Sequence, residues 1–326
     1  MKTASDSVTF AVFTDLHLDI MHDGQKRLDQ FLAAARQRDV DFIIQLGDFC
    51  YPENTVRCDC SPENLPINLL NAMHSPSEVP KLEMLRQFNQ FEKPHYHVLG
   101  NHEFDFSSKE QTMKLYGMEE AYYAFRCGGW RFLVLDCSYF RDREGNLRDY
   151  HYGNYFDSDD LPYISERQLE WVAKELFGDP CPTIVFSPQP LYGSTRGIKN
   201  AADLLAVFEQ ANRRHKTVYL CMNGHTHLDV VTEKNGIYYY TLNSMSNHWM
   251  GTEYPVTRFD RQTEQSFPNL KYILPYEEPL YAIVTVTLQQ LTAEGRKGRF
   301  VPPVPTVVKL EAGMSPGIAD RVITWK

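Results

Sequence analysis

Four short stretches concentrate side chains of the metal-ligating type: Asp15-Leu16-His17, Gly47-Asp48, Gly100-Asn101-His102-Glu103 and Gly224-His225-Thr226-His227. Each follows an apolar run, and the glycines let the backbone turn sharply where a strand ends. Collected, Asp15, His17, Asp48, Asn101, His102, His225 and His227 supply two carboxylates, a neutral amide and four imidazoles. Mixed nitrogen and oxygen donors suit Mn, Fe, Zn or Co, and the absence of Cys from the set argues against a structural zinc. Any one stretch alone also reads as a polar turn after a strand. A carboxylate pair of the glycosidase kind is disfavoured by the four histidines around it. Ser187 or Ser194 can be drawn into a Ser/His/Asp set, but there is no Gly-x-Ser-x-Gly elbow.

The elements that must position these residues follow from periodicity. Val8 to Thr14 reads as a buried strand. Leu28, Phe31, Leu32 and Ala35 form the stripe of a helix over 24–39, and Asp41 to Leu46 is the next strand. This strand–helix–strand unit carries acids at both strand ends, where open α/β sheets place their ligands. Residues 50–80 read as an irregular insertion, Lys81 to Phe91 as a helix and 95–99 as a strand. Gly128-Gly129 joins two apolar runs, 121–125 and 130–136, as a hairpin. Residues 138–163 read as a long surface loop. Ser165 with Gln168 has the spacing of a capping box before a helix. Thr183 to Phe186 is a strand that enters Ser187-Pro188-Gln189-Pro190, and Lys199 to Arg214 is helical. Val218 to Met222, 237–242 and 282–288 complete the strands, and beyond Glu294 lies a tail with no obvious core.

Composition excludes several classes. With 326 residues, 43% hydrophobic and 13% aromatic, the chain has ample core for one large α/β unit. A formal charge of -9 argues against a general nucleic-acid-binding surface. No run approaches the ~18 apolar residues of a membrane span, and Met1 to Ser7 is polar, without the apolar core of a signal peptide. The chain therefore reads as cytoplasmic and without a membrane partner, although a trimmed leader would leave the same pattern. The seven cysteines lack CxxC spacing, and Cys58-Asp59-Cys60 is too tight for the usual zinc pairing. A disulfide from that loop to another thiol stays open.

The ordered set Asp-x-His, Gly-Asp, Gly-Asn-His-Glu and Gly-His-x-His, spanning residues 15–227, resembles the calcineurin-like metallophosphoesterases. The resemblance implies a four-layer α-β-β-α sandwich, two mixed β-sheets flanked by helices, over residues 1–294, with 295–326 as a C-terminal extension. It implies two divalent transition metal ions (Mn, Fe or Zn). Asp15, His17 and His227 would hold the first, Asp48 would bridge, Asn101 and His225 would hold the second, and His102 would sit by the leaving group. Such a pair clamps a phosphoryl group and activates a hydroxide for in-line attack on a phosphate mono-, di- or pyrophosphate ester. Glu103 or Asp136 is the expected partner orienting His102. Arg196 is a candidate phosphate clamp.

Gly-Asn-His-Glu followed by Phe104, with the Ser165 helix, is also similar to the Mn-dependent ADP-ribose/CDP-alcohol pyrophosphatase branch, which implies a small, nucleotide-derived substrate. Tyr51, Tyr139, Phe140, Tyr150, Tyr152 and Tyr155 are available to stack a base. His22, His74, His95, His97, His151, His215 and His248 read as packed or solvated, His248 alone being near enough to Asn243 and Asn247 to reach the site. One position departs from the family pattern. Where relatives carry a second-site His in a Ser-His-x-Pro context, this chain has Pro188, so the second site is expected to be weak unless Gln189, His248 or water fills the gap. The alternative function is accordingly a catalytically weakened binding scaffold.

Overall fold

The computed structural model describes residues 7–49, 59, 61, 79–305 and 313–326. Of the readings made for the 50–80 insertion, those on Tyr51, His74 and any disulfide of Cys50, Cys58 or Cys60 lie outside the described residues. Cys127, Cys137, Cys181 and Cys221 are free thiols.

The first half of the chain runs β1 (Ser7–Phe13), α1 (Gly24–Gln37), β2 (Phe42–Gln45), α2 (Val79–Asn89), β3 (His95–His97) and α3 (Lys109–Tyr116). The hairpin β4 (Tyr123–Cys127) and β5 (Trp130–Val134) follows, then the small ribbon β6 (Tyr139–Arg141) and β7 (Leu147–Asp149). Next come α4 (Glu166–Gly178), β8 (Thr183–Phe186), α5 (Ala201–Arg214), β9 (Val218–Asn223), β10 (Val230–Lys234) and β11 (Ile237–Thr241). The chain closes with β12 (Asn247–Trp249), α6 (Arg261–Ser266), β13 (Ile273–Pro275), β14 (Ala282–Thr287), β15 (Gln290–Gly295) and β16 (Arg321–Thr324).

Two six-stranded mixed sheets result, ordered β16-β15-β14-β1-β2-β3 and β10-β11-β9-β8-β5-β4. In the first, β1, β2 and β3 are parallel; in the second, β5, β8, β9 and β11 are. The period-2 alternation of strands decides which face each residue joins. Val8, Phe10 and Val12 of β1 pack between the sheets with Phe132, Phe186 and Met222. Ala11 and Phe13 turn outward onto Leu28, Phe31 and Phe88 of α1 and α2. On the far side, Val172 and Leu176 of α4 and Leu204 and Phe208 of α5 cover Leu133, Val185 and Cys221. The expected α-β-β-α layering is observed. Phe10 anchors it, stacked on Phe42 at 4.9 Å between ring centres and edge-on to Phe132 and Phe186.

Three local readings change. The 138–163 stretch is no solvated loop: it forms β6 and β7 and buries Tyr150 and Tyr155, stacked at 4.1 Å. The C-terminal tail adds β16 to the first sheet and sends Ile318 and Ile323 into the inter-sheet core. Ser165 Oγ accepts the Gln168 N–H at 3.3 Å, but the Gln168 amide clamps the backbone N–H and C=O of Asp136 at 2.8 and 2.6 Å and so completes no capping box. A reciprocal box does open α3, from Ser108 and Gln111. Among the described residues no helix is long and apolar enough to cross a membrane.

Candidate metal centre

The parallel strands end on one rim. Asp15 follows β1, Asp48 follows β2, Asn101 and His102 follow β3, and His225 and His227 follow β9. Asp15, His17, Asp48, His225 and His227 have φ between 50° and 71°. A non-glycine residue held there costs about 1–3 kcal/mol and persists only where its surroundings over-determine it. Here backbone bonds supply that constraint: the Asp15 N–H donates to Gly47 O at 2.9 Å and the His17 N–H to Asp48 O at 3.0 Å. Gly100 and Gly224 are required by close approach, since a Cβ on Gly100 would overlap Asp48 and one on Gly224 would overlap Thr14 and Asp15.

Asp15, His17 and His227 bring one ligand atom each to within 4.8 Å of one another, and all three residues are buried. His227 Nε2 lies 3.3 Å from His17 Nε2 and 3.2 Å from Asp15 Oδ1. His227 Nδ1 donates to Asn247 O at 2.7 Å, which fixes the tautomer and leaves Nε2 with its lone pair toward the cluster. Asp15 Oδ2 accepts from Thr14 Oγ1 and the His225 N–H, while Oδ1 is buried without a hydrogen-bond partner. Atoms about 2 Å from one divalent ion would stand about this far apart, so an orphaned carboxylate oxygen between two imidazole nitrogens fits a cation. Burial opposes ionisation of Asp15, but His227 and His17 hold its carboxyl well below the usual range. Burial, with repulsion from His227 and His102, keeps His17 well below the ordinary imidazole value.

The calcineurin-like phosphoesterase family profile matches residues 8–229. The chain belongs to this family. A dimetal phosphatase from Danio rerio superposes with a TM-score of 0.61 at 16% identity, over 98% of this chain and 99% of that one. GAP50, the anchor in the inner membrane complex of Plasmodium, superposes with a TM-score of 0.51 at 17% identity, over 98% and 89%. At these identities the likeness is one of fold. No curated relative matches by sequence. Family membership places the chain among the metal-dependent phosphoric ester hydrolases.

Of the other expected residues of this phosphoesterase, Asp48, His102 and His225 share a cavity with His17 and His227, and Asn101 is not part of its wall. A cavity of about 310 Å³ is lined by His17, Asp48, His102, His225 and His227, together with the guanidinium of Arg196. Asp48 Oδ1 accepts the His102 N–H at 2.9 Å. Burial, with Glu103 and Asp15 nearby, pushes the Asp48 carboxyl well above its ordinary value despite the opposing pull of His102. Asn101 Oδ1 is buried without a partner. Burial lowers His225 to about 4. Pro188 occupies the position where a His was expected: its O accepts the Gly224 N–H at 3.2 Å, and its ring lies next to Gly47. Gln189 Oε1 is buried without a partner. His248 is not part of the cavity wall; its Nδ1 faces His227 O at 3.3 Å.

Neither expected partner orients His102. Asp105, three residues on in the same turn, meets His102 Nδ1 at 2.7 Å. Burial works against the imidazolium, but Asp105 and Asp48 raise His102 well above its ordinary value. Glu103 instead stitches two ligand loops together: Oε2 accepts the N–H groups of Asp48 and Gly100 at 3.0 and 2.7 Å, and Oε1 accepts that of Phe49 at 2.6 Å. Asp136 binds Lys109 Nζ at 2.6 Å. Also unforeseen were Ser244 and Ser246, whose hydroxyls donate to Asp15 O at 2.8 and 3.1 Å, and the cavity's apolar wall of Ile20, Phe156 and Trp249. An Asp three residues after a candidate His was the available signal for Asp105; nothing local marks the serines.

Proposed function

We propose that this phosphoesterase hydrolyses small phosphate esters, of the mono-, di- or pyrophosphate kind, in the cavity above Asp15, His17 and His227. These three would hold one divalent transition ion, Mn, Fe or Zn; Asp48, Asn101 and His225 would hold a second, with Asp48 shared. Ions so held clamp phosphoryl oxygens and lower the pKa of water. The chain's own residues do the rest. Arg196 meets phosphate charge, having one nitrogen on Thr226 O at 3.3 Å. His102, proton-loaded and held by Asp105, presents its Nε2–H to the leaving oxygen. Ile20, Phe156 and Trp249 give the leaving group an apolar wall, which favours an aromatic or nucleoside-like group over a bare alkyl chain. Of the aromatics first considered for stacking, Phe140, Tyr150 and Tyr155 are buried in the core instead.

The observation that carries the reading is the orphaned Asp15 Oδ1 facing two imidazole nitrogens. The test is metal content and turnover measured together, with bis-p-nitrophenyl phosphate beside p-nitrophenyl phosphate and Mn in excess. Bound metal with turnover lost in Asp48→Asn is expected. Neither metal nor turnover under any loading would sink it. A second reading, a scaffold with a weak or absent second ion, is favoured by Pro188, and GAP50, named as an anchor, has a similar fold. One ion per chain without turnover would promote that reading.

A further inference from the structure

The region between β7 and α4 reaches back into the centre through one residue. Tyr155 is buried, and its hydroxyl donates to Asp105 Oδ1, the oxygen not used by His102. The same hydroxyl lies 3.3 Å from Asn101 O and 3.5 Å from Asn101 Nδ2. Its ring is clamped against Tyr150, which is fully buried, and Phe156 beside it forms cavity wall. One hydroxyl thus touches both the carboxylate behind His102 and the Asn101 amide, whose Oδ1 is buried without a hydrogen-bond partner. A carboxylate buried at Asp105 has two oxygens to satisfy and a free rotation about its last bond. A donor on Oδ1 fixes that rotation and aims Oδ2 at His102 Nδ1.

We propose that Tyr155 is a positioning residue for proton delivery: it aligns the Asp105–His102 pair and turns the Asn101 amide so that Oδ1 faces the centre. The inference rests on the reading of His102 as proton donor. In that step a water oxygen forms a bond to phosphorus and gives up a proton to solvent, the bond from phosphorus to the leaving oxygen breaks, its electron pair goes to that oxygen, and the His102 Nε2 proton follows it. Asp105 stabilises the imidazolium beforehand, and Tyr155 keeps its own proton throughout. A leaving group that departs as a stable anion needs no such proton, so misalignment of His102 shows selectively with poor leaving groups.

The experiment compares kcat for p-nitrophenyl and phenyl esters of the same phosphate in the Mn-loaded full chain. Tyr155→Phe removes one atom from a packed ring, and its melting temperature checks the fold. The expected result is a rise of about tenfold in the nitrophenyl-to-phenyl ratio, a fraction of the 10²–10⁴ that general acid catalysis supplies. His102→Asn should raise the ratio further. Asp105→Asn should raise it too, and the double variant Asp105→Asn/Tyr155→Phe should go no further than Asp105→Asn alone, since both act through one carboxylate. An unchanged ratio in Tyr155→Phe, or equal losses on both esters, would overturn the proposal while the His102 response stands. An unchanged ratio in His102→Asn would overturn the proton-donor reading itself and this inference with it.

Discussion

The two halves of the proposed centre use the same devices to different ends. Around Asp15, His17 and His227, left-handed turns at strand ends bring donor atoms together, and two of the three are backed by buried partners: Ser244 and Ser246 on the Asp15 carbonyl, Asn247 O on His227. Around Asp48, Asn101 and His225 the scaffolding is equally complete. Glu103 pins the Asp48 loop, Tyr155 meets Asn101, and the His225 N–H is held by Asp15. Yet β8 delivers Pro188 to this half, a residue with no side-chain donor, and among the described residues His and carboxylate ligand atoms converge only in the first half. The bonds that hold the second half's shape do not pass through the side chain of residue 188. A ligand can therefore be lost there while the architecture stays.

The most severe way to probe this asymmetry is Asp15→Asn. Removing the anionic member of the convergent cluster should empty the first site and lower turnover by at least about a hundredfold, more than loss of a hydrogen bond behind a ligand costs. Retention of a tightly held ion in that variant would reverse the ranking of the halves. Pro188→His approaches from the other side. If the second half lacks only a donor, this change should tighten the second ion about 10–100-fold in a Mn titration, whereas Pro188→Ala should not. Equal behaviour of the two variants would locate the weakness elsewhere, with Gln189 the first place to look.

Metal-free stability offers a smaller but cleaner contrast. Burial holds His225 and His248 at about 4 and His97 at about 3, all below the ~6.5 of an unfolded imidazole. Between those values the unfolded chain binds more protons, so stability is lost as pH falls from about 6.5 towards 4. The melting temperature of the metal-free protein should drop across that window. The Asp48 and Glu103 carboxyls, raised by burial, work the other way over part of this window, so a level or rising profile would mean that their proton uptake outweighs the loss from these rings.

Much of this was legible because strands announce themselves and their ends carry the chemistry. The apolar runs before Asp15, Asp48, Asn101 and His225 placed every candidate ligand on one rim of the parallel strands, since strand direction and crossover handedness leave little choice. The apolar run Val8 to Thr14 likewise read as the buried strand that β1 is. What stayed hidden depends on contacts distant in sequence. Ser244 and Ser246 meet Asp15 across more than two hundred residues, and Tyr155 meets Asp105 across fifty. The 138–163 stretch was misjudged because its charged surface residues mask two tyrosines that bury their rings. Gln168 fitted a capping box by spacing, but a buried strand end at Asp136 competed successfully for its amide.

The smallest effect tests whether the support of the first half is distributed. Ser244 Oγ donates to Asp15 O at 2.8 Å and also accepts the N–H groups of Ser246 and Asn247 at 3.1 and 3.2 Å. Ser246 Oγ donates to the same carbonyl at 3.1 Å. Ser244→Ala therefore leaves Asp15 O with one donor and should cost about 1 kcal/mol of stability by denaturant titration. It should weaken the first ion by about tenfold or less, the lower end for loss of a hydrogen bond behind a ligand. Because Asn247 carries the carbonyl that orients His227, the loss should fall on the first ion and leave the affinity of the second as it was. Weakening of both ions together would show that the two halves share one support through Asp15, whose Oδ2 also holds the His225 backbone, and the division between them would then be one of ligands alone.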